Sequence, residues 1–274
     1  MIVQHNLTAM NANRMLGITV KSQEKQTERL SSGYKINRAA DDAAGLSISE
    51  KMRRQIRGLD QASTNAQDGI SLVQATEGAL NEVSDMLQRM NELTVKAANG
   101  TYTTTQKQYI ADEINQLISE IDRIASTTKF NDVKVLNGST SSITLQVGNE
   151  HGETMSIALG ATYATNIGLT SKVDWSSATT ASAVSTFIDK VKDAMEKVAS
   201  KRSALGAVQN RLDHTVNNLD NIVENTQAAE SRIRDTDMAK SMVVYSNNQV
   251  LVQAGQAMLA QANQIKQGVL SLLQ

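Results

Sequence analysis

The stretch that decides the fold is the last one, MAKSMVVYSNNQVLVQAGQAMLAQANQIKQGVLSLLQ at 238–274. Within Ser241–Gln274 the only charged side chain is Lys266. Val244, Leu251, Met258, Ile265 and Leu272 recur at an interval of seven. Tyr245, Val252, Leu259 and Leu273 widen that row on one side, and Ala262 and Val269 on the other. Apolar residues at this spacing, with Gln, Asn, Ala and Ser between them, predict a helix packed along its length against other helices. The opposite face, with Gln249, Gln253, Gln256, Gln261, Asn263, Gln264 and Gln267, is polar but almost without charge. A solvated helix face ordinarily carries Lys and Glu, so this one too is predicted to meet protein. Fully helical, the segment would span about 55 Å at ~1.5 Å per residue, too long for one small globule to cover. A lone helix cannot bury enough of itself to offset the entropy of ordering, so the segment is expected to order mainly on assembly with other copies.

The other end of the chain has the same character. Met1–Asn13 contains no Asp, Glu, Lys or Arg. Ile2, Val3, Leu7, Met10, Met15, Leu16, Ile18 and Val20 form an irregular helical row running to about Leu30, and Ser31-Ser32-Gly33-Tyr34 is a helix stop. Two charge-poor apolar ends suit an antiparallel pairing of the first and last helices. Between them lie two more rows at the same interval. Met52, Leu59, Ala66, Val73, Leu80 and Leu87 predict one long helix ending at Asn99-Gly100. Val184, Val191, Val198, Leu205, Leu212 and Leu219 predict a second, running to about Arg234. Their equal lengths allow them to lie antiparallel. A shorter helix carries Ile110, Ile114, Leu117, Ile121 and Ile124.

The period then changes to two. Val133 and Val135, then Ile143, Leu145 and Val147, then Met155, Ile157 and Leu159 alternate, with Gly148-Asn149-Glu150-His151-Gly152 between the last two runs. This predicts a β-hairpin, three short strands in all. Thr170–Ser182, rich in Ser, Thr and Ala around Trp175, reads as a surface connection. The fold class is therefore mainly α: long antiparallel helices in coiled-coil or bundle packing, with a small β-hairpin region.

Composition excludes several function classes. The 274 residues carry a net charge of −1, without a basic block for nucleic acid. The uncharged runs hold too many Gln and Asn to span a membrane, and the N-terminus has no signal-peptide pattern. There is no Cys and no Pro, and aromatics make up 3%. Disulfides, thiol catalysis and Cys-based metal sites are thus excluded, and the main helix breaker is missing. The adjacent Asp41 and Asp42 are read as acids favouring a helix N-terminus rather than as a metal or acid–base pair. The histidines His5, His151 and His214 fall on different elements, and no phosphate loop, nucleophile elbow or zinc-protease motif occurs. No catalytic residue, cofactor site or metal site is expected. Asn6-Leu7-Thr8, Asn99-Gly100-Thr101 and Asn137-Gly138-Ser139 match the short glycosylation pattern, for which chance matches are common.

Longer motifs carry a specific resemblance. LSSGYKINRAADDAAGLSISEKMRRQIRGLDQA at Leu30–Ala62 and QDGISLVQATEGALNEVSDMLQRMNELTVKAANG at Gln67–Gly100 resemble the N-terminal signature of bacterial flagellins. SALGAVQNRLDHTVNNLDN at Ser203–Asn221, ESRIRDTDMA at Glu230–Ala239 and MLAQANQIKQGVLSLLQ at Met258–Gln274 resemble the C-terminal one. The middle departs from large members of that family: the variable outer domains are missing, which leaves a short, core-only form.

The resemblance implies an inner-core coiled-coil domain made of residues 1–40 and 236–274, and a helical outer-core domain of residues 41–235 with its β-hairpin at about 131–170. It implies a structural subunit that self-polymerises into the flagellar filament for swimming, with Leu7, Met10, Val244, Leu251, Met258, Leu259, Ile265, Val269 and Leu272 in the polymer contacts. It further implies unfolded export through the flagellar type III apparatus, an extracellular location in the filament, an export chaperone at the C-terminal segment, and filament-cap and hook-junction partners. Neither nucleic acid nor membrane is a partner. By the same resemblance the monomer is a ligand of host Toll-like receptor 5, through Gln88, Arg89, Glu92 and Leu93, with Glu113 on the neighbouring helix. Asn91 and Leu117 stand where strong agonists carry arginine, which weakens a polar rim more than the Arg89–Leu93 anchor. A minor flagellin acting chiefly as an immune ligand and a hook–filament junction protein are the competing readings. Intact signatures at both ends favour flagellin.

Overall fold

The computed structural model describes residues 6–169, 172–175 and 180–271. In chain order these form α1 (Leu7–Ser32), α2 (Ala43–Ala98), α3 (Thr104–Thr127), β1 (Lys129–Phe130), β2 (Val133–Lys134), β3 (Ser142–Gln146), β4 (Thr154–Ala158), α4 (Ala164–Ile167), α5 (Thr180–Arg234) and α6 (Met238–Ser271). The helix ends follow from local chemistry. Asn6 caps α1, its Oδ1 accepting from the Ala9 N–H at 3.1 Å. Gly33 stops it with φ of 76°, a left-handed conformation that glycine adopts without strain, and its N–H reaches Arg29 O. Asp42 accepts from the Gly45 N–H at 2.9 Å and so caps α2, as the acid pair suggested. Thr103 and Gln106 close a reciprocal capping box on α3.

The chain divides into two compact units: residues 1–56 with 224–274, and residues 57–223. The second unit holds a continuous apolar core. The interval-of-seven residues of α2 (Leu59, Ala66, Val73, Leu80, Leu87) and of α5 (Val184, Val191, Val198, Leu205, Leu212, Leu219) are all buried. Within this unit the two helices run antiparallel: Ser63 Oγ donates to Asp220 Oδ1 at 3.2 Å, and Arg202 Nη2 lies 3.6 Å from Glu77 Oε1. Ile110, Ala111, Ile114, Ile118, Ile121 and Ala125 bring α3 onto the same core.

The β region differs from the expectation of three strands. Four short strands form two antiparallel hairpins, β1–β2 and β3–β4. Val133 belongs to the return arm of its own hairpin, whose turn residues Asn131 (φ 44°) and Asp132 (φ 62°) are both left-handed. That turn carries no glycine and its arms are two residues long, so period alone could not reveal it. The β3–β4 hairpin, in register Ile143↔Ile157 and Leu145↔Met155, turns Met155 and Ile157 into the core. It lies on α2, where Asn65 Nδ2 donates to Gln146 O at 3.0 Å, and a side chain at Gly69 would overlap Leu145.

A second difference concerns the surface connection expected around Trp175. Val173 and Trp175 are buried, Trp175 to 2%, its ring edge-on to Phe187 at 6.0 Å between centroids. Asn115 pins this strand-like segment by accepting from the Val173 N–H at 2.7 Å and donating to Val173 O at 2.9 Å. Gln108 Oε1 accepts from the Trp175 N–H. Small polar neighbours in sequence hid two anchor residues whose backbone is satisfied by α3. Replacing Trp175→Ala removes a buried indole and should lower stability by about 3–5 kcal/mol. Thermal unfolding followed by circular dichroism measures it, and a melting point unchanged within error would contradict the anchoring role.

Candidate functional site

In the unit formed by residues 1–56 and 224–274, α1 and α6 lie antiparallel. Asn6 Nδ2 donates to Ala262 O at 3.0 Å at one end, and Asn248 Nδ2 to Ser22 Oγ at 3.1 Å further along. The seam on α6 runs Ser241, Tyr245, Asn248, Val252, Gly255, Leu259 and Ala262, alternating steps of four and three. Ser241, Asn248 and Ala262 are buried in it, while Tyr245, Val252 and Leu259 are half-buried. Small residues at an interval of seven let α1 come close: a Cβ at Gly255 would stand 3.2 Å from Leu16 Cδ1. The Asn248–Ser22 bond is a polar pair in a helix seam, the arrangement that fixes register.

The bulky row goes elsewhere. Val244 is half-buried at the edge of the seam, and Leu251, Met258 and Ile265 are exposed. The cause is helical geometry. Both rows recur every seven and drift together, and the bulky row lies to one side of the seam along its whole length, so the contact with α1 leaves it outside. Val243 and Val250 are exposed as well, and so are Leu7, Met10, Met15 and Ile18 on α1. Of the expected polymer contacts, Leu7, Met10, Leu251, Met258 and Ile265 thus present exposed apolar surface among the described residues, and Leu259 is half-buried in the seam. The expectation for Leu272 lies outside the described residues, and that for Val269 rests on a side chain outside what is described. The rows that sequence reading passed over are Ser241–Asn248–Gly255–Ala262, whose interval of seven was legible, and the exposed Met15, Ile18, Val243 and Val250.

The base of this helix pair is a polar clamp. Tyr34 and Asp235 stand opposite each other in an antiparallel bridge whose bonds come from their neighbours: Lys35 N donates to Arg234 O at 2.7 Å and Thr236 N to Gly33 O at 3.0 Å. The Tyr34 ring lies between Arg234 (4.8 Å) and Arg53 (5.4 Å), each measured from the guanidinium carbon to the ring centroid. Arg53 Nε pairs with Glu230 at 3.1 Å and Arg234 with Glu50 at 2.9 Å. Asp41 accepts from the Asn37 and Arg38 N–H groups and pairs with Lys25 at 2.8 Å. The Lys25 ammonium first, then those two amides, hold its carboxyl down at about 2, against 3.8 ordinarily.

In the other unit, Arg89 ties together three of the expected receptor-facing residues. Its Nη1 meets Glu92 Oε2 at 3.2 Å and its Nη2 meets Glu113 Oε1 at 3.0 Å, joining α2 to α3. These partners, Glu113 first, raise the Arg89 pKa further. Gln88 is exposed beside them. Leu93 is not on this surface: it is 3% exposed and packed into the core. Its steps of three from Met90 and four to Ala97, both buried, place it in the buried row of α2.

A cleft of about 280 Å³ between the hairpins and α5 is lined by Thr76, Leu80, Leu136, Leu159, Lys201 and Leu205. Lys201 is the titratable group there, and burial lowers its pKa. Its ammonium donates to Ala161 O at 2.6 Å and Thr162 Oγ1 at 3.1 Å, so it serves the loop rather than a substrate. Among the described residues no three His, Asp or Glu side chains could share a metal ion, and no helix is long and apolar enough to cross a membrane.

Comparison with known proteins gives consistent matches at both ends. Residues 3–141 match the family described as the bacterial flagellin N-terminal helical region, and residues 188–273 the bacterial flagellin C-terminal helical region. A flagellin from Halalkalibacterium halodurans is 51% identical over 282 residues, with all of both chains covered. Flagellin FlaB2 from Treponema pallidum is 47% identical over 285 residues, again with all of both covered. The crystal structure of Bacillus cereus flagellin is 32% identical, with a TM-score of 0.51 over 57% of this chain and 88% of that one. A putative flagellar hook-associated protein from Vibrio parahaemolyticus, 15% identical with a TM-score of 0.62 over 71% of this chain and 100% of that one, shares the fold alone.

The Asp41 geometry fixes a pH dependence. Folding lowers this carboxyl, so its stabilisation is complete above 3.8 and fades as pH falls toward about 2. The protection of the Asn37 and Arg38 amides against hydrogen exchange, taken relative to their intrinsic rates at each pH, should therefore fall across that window. In Asp41→Asn both amides should already exchange faster at neutral pH, without the acid step. The same acid step in the variant would assign it to another group.

Proposed function

The chain belongs to the bacterial flagellin family, and from that premise we propose that its polymerisation is carried by the apolar rows left exposed on α1 and α6, which bury themselves against other copies. Flagellins are structural filament subunits of the flagellum, not enzymes, and this chain is one of them, serving motility. The observation that carries the site reading is the exposure of Leu7, Met10, Leu251, Met258 and Ile265 on two helices that already satisfy each other along a different seam. Contiguous exposed apolar surface on a soluble chain marks an interaction face. Residues 1–40 and 236–274 then form the inner core of the filament, and 41–235 the layer around it.

The finer reading follows from the same surface. Exposed apolar rows need cover before assembly, which fits an export chaperone on the C-terminal segment, passage through the flagellar type III apparatus, and insertion beneath a filament cap beyond hook-junction proteins. A chain without Pro or Cys refolds at the tip without slow isomerisation or disulfide exchange. The exposed Gln88, Arg89, Glu92 and Glu113 form a compact charged patch suited to Toll-like receptor 5 on the free monomer, with Leu93 supporting Arg89 from within the core.

Two experiments test these readings. In seeded elongation followed by electron microscopy, the full-length chain should extend filaments, and a chain ending at Thr236 should not. The double variant Leu251→Asp, Met258→Asp should elongate at least about tenfold more slowly, because two carboxylates would enter an apolar contact, while its circular dichroism stays that of the parent. Elongation by the truncated chain at the parental rate would refute the assembly site. For the receptor patch, Arg89→Ala should weaken monomer binding to the receptor ectodomain roughly tenfold, and Arg89→Lys should restore only part of it because the two-pronged contact is lost. An unaltered Kd for Arg89→Ala would remove the patch from the receptor site.

A further inference from the structure

The chain has 11 methionines, well distributed in sequence but not in exposure. Met90 and Met155 are buried in the core of residues 57–223, and Met52, Met86 and Met195 are half-buried. The exposed ones among the described residues are Met10, Met15, Met238, Met242 and Met258, between 48% and 65% accessible, and each lies on α1 or α6. Asn6 stands level with Ala262, so Met10 and Met258 fall near the same end of the helix pair, beside Leu7 and Ile265. The oxidisable sulfurs exposed among the described residues are thus concentrated on the two helices proposed to join copies, with Met10 one turn from Leu7 and Met258 within the Leu251–Ile265 row.

We propose that these five methionines form an oxidation-sensitive switch on polymerisation, with hypohalous acid as the oxidant class; the inference rests on the assembly reading above. Each thioether sulfur takes the oxygen atom of the hypohalous acid and loses two electrons. The halogen leaves as halide with that electron pair, and the hydroxyl proton passes to solvent. The product sulfoxide is polar and chiral where the thioether was apolar and flexible. A sulfoxide oxygen at an apolar row would enter the contact without a donor, which opposes burial. The switch acts only on the free subunit, because assembly covers the same sulfurs. It is reversible, since sulfoxide is reduced by the methionine sulfoxide reductases, one for each epimer.

The test uses full-length chain treated with a limiting dose of hypochlorous acid, compared with untreated chain and with preformed filaments given the same dose. Peptide mass mapping should show a gain of about 16 mass units at Met10, Met15, Met238, Met242 and Met258 of the monomer, ahead of Met90 and Met155. The treated monomer should elongate seeds at least about tenfold more slowly, and both reductases together should restore it. Preformed filaments should keep these residues unmodified. The variant carrying Met→Leu at all five positions stays apolar and should elongate equally with or without oxidant. Full elongation by monomer oxidised at the five sites overturns the switch, and so does an equal loss of elongation in the Met→Leu variant. If untreated chain fails to extend seeds, the assembly reading itself falls and the switch with it, a result distinct from untreated and oxidised chains elongating alike.

Discussion

The contact on which the functional surface depends is the seam between α1 and α6. Ser241, Asn248, Gly255 and Ala262 are small or polar, and they allow the two backbones to approach with little apolar area spent. Helices joined in this way use a narrow stripe for each other, unlike an ordinary pair that would turn its largest side chains inward. Tyr245, Val252 and Leu259 fill the rest of the stripe, and Leu251, Met258 and Ile265 are left outside it. Had leucine stood at 248 and 255, the pair would be steadier as a monomer, but Leu251 and Met258 would be pushed into a different relation with α1. Pairing within the chain and surface left for other chains are two uses of one helix, separated by about a third of a turn.

The same interval of seven has opposite outcomes in the two units. On α2 and α5 the rows Leu59–Leu87 and Val184–Leu219 meet a core that α3 and the hairpins complete, so every member is buried. On α6 the row Leu251–Met258–Ile265 stays largely exposed among the described residues. One unit can therefore be stable alone, while the other is held by a clamp at its base, where the Tyr34 ring lies between Arg53 and Arg234 and the two connections exchange backbone hydrogen bonds. Those bonds fix where α1 and α6 start. They add little apolar burial along the helices, which explains why the extended part of the pair relies on a further partner.

Periodicity made the long helices, their caps and the antiparallel ends legible, because α2, α5 and α6 carry no competing local signal: no Pro, few Gly and regular rows. It could not say which side of α6 would face α1, since bulky and small residues both recur every seven and only shape decides between them. Trp175 was missed because its neighbours look like a linker. What holds it is distant in the chain: Phe187 against its ring, Gln108 on its N–H, and the Asn115 amide on Val173, 58 positions away. Leu93 misled in the other direction: it stands one turn after the exposed Arg89, but it lies on the core side of that boundary, in the buried row Met90–Leu93–Ala97. In each case the deciding term is tertiary and absent from any local window.

Exposed apolar rows are an aggregation hazard, yet they are also the means of ordered polymerisation, and the polar residues of the same helix separate the two outcomes. Gln249, Gln253, Gln256, Gln261, Asn263 and Gln264 are exposed on the side of α6 away from the apolar row. Each amide has donors and an acceptor that must be paired when water leaves, and an unpaired one is costly to bury. Sliding one copy along another by a few residues keeps apolar area in contact but breaks the amide pairings, so only registers that satisfy both are low in energy. Charged residues would give a similar selectivity but would also repel at close packing around a common axis, and this face carries almost none. A helix with an apolar row on one side and amides on the other therefore sticks to copies of itself in few registers, which is the property a helical filament requires.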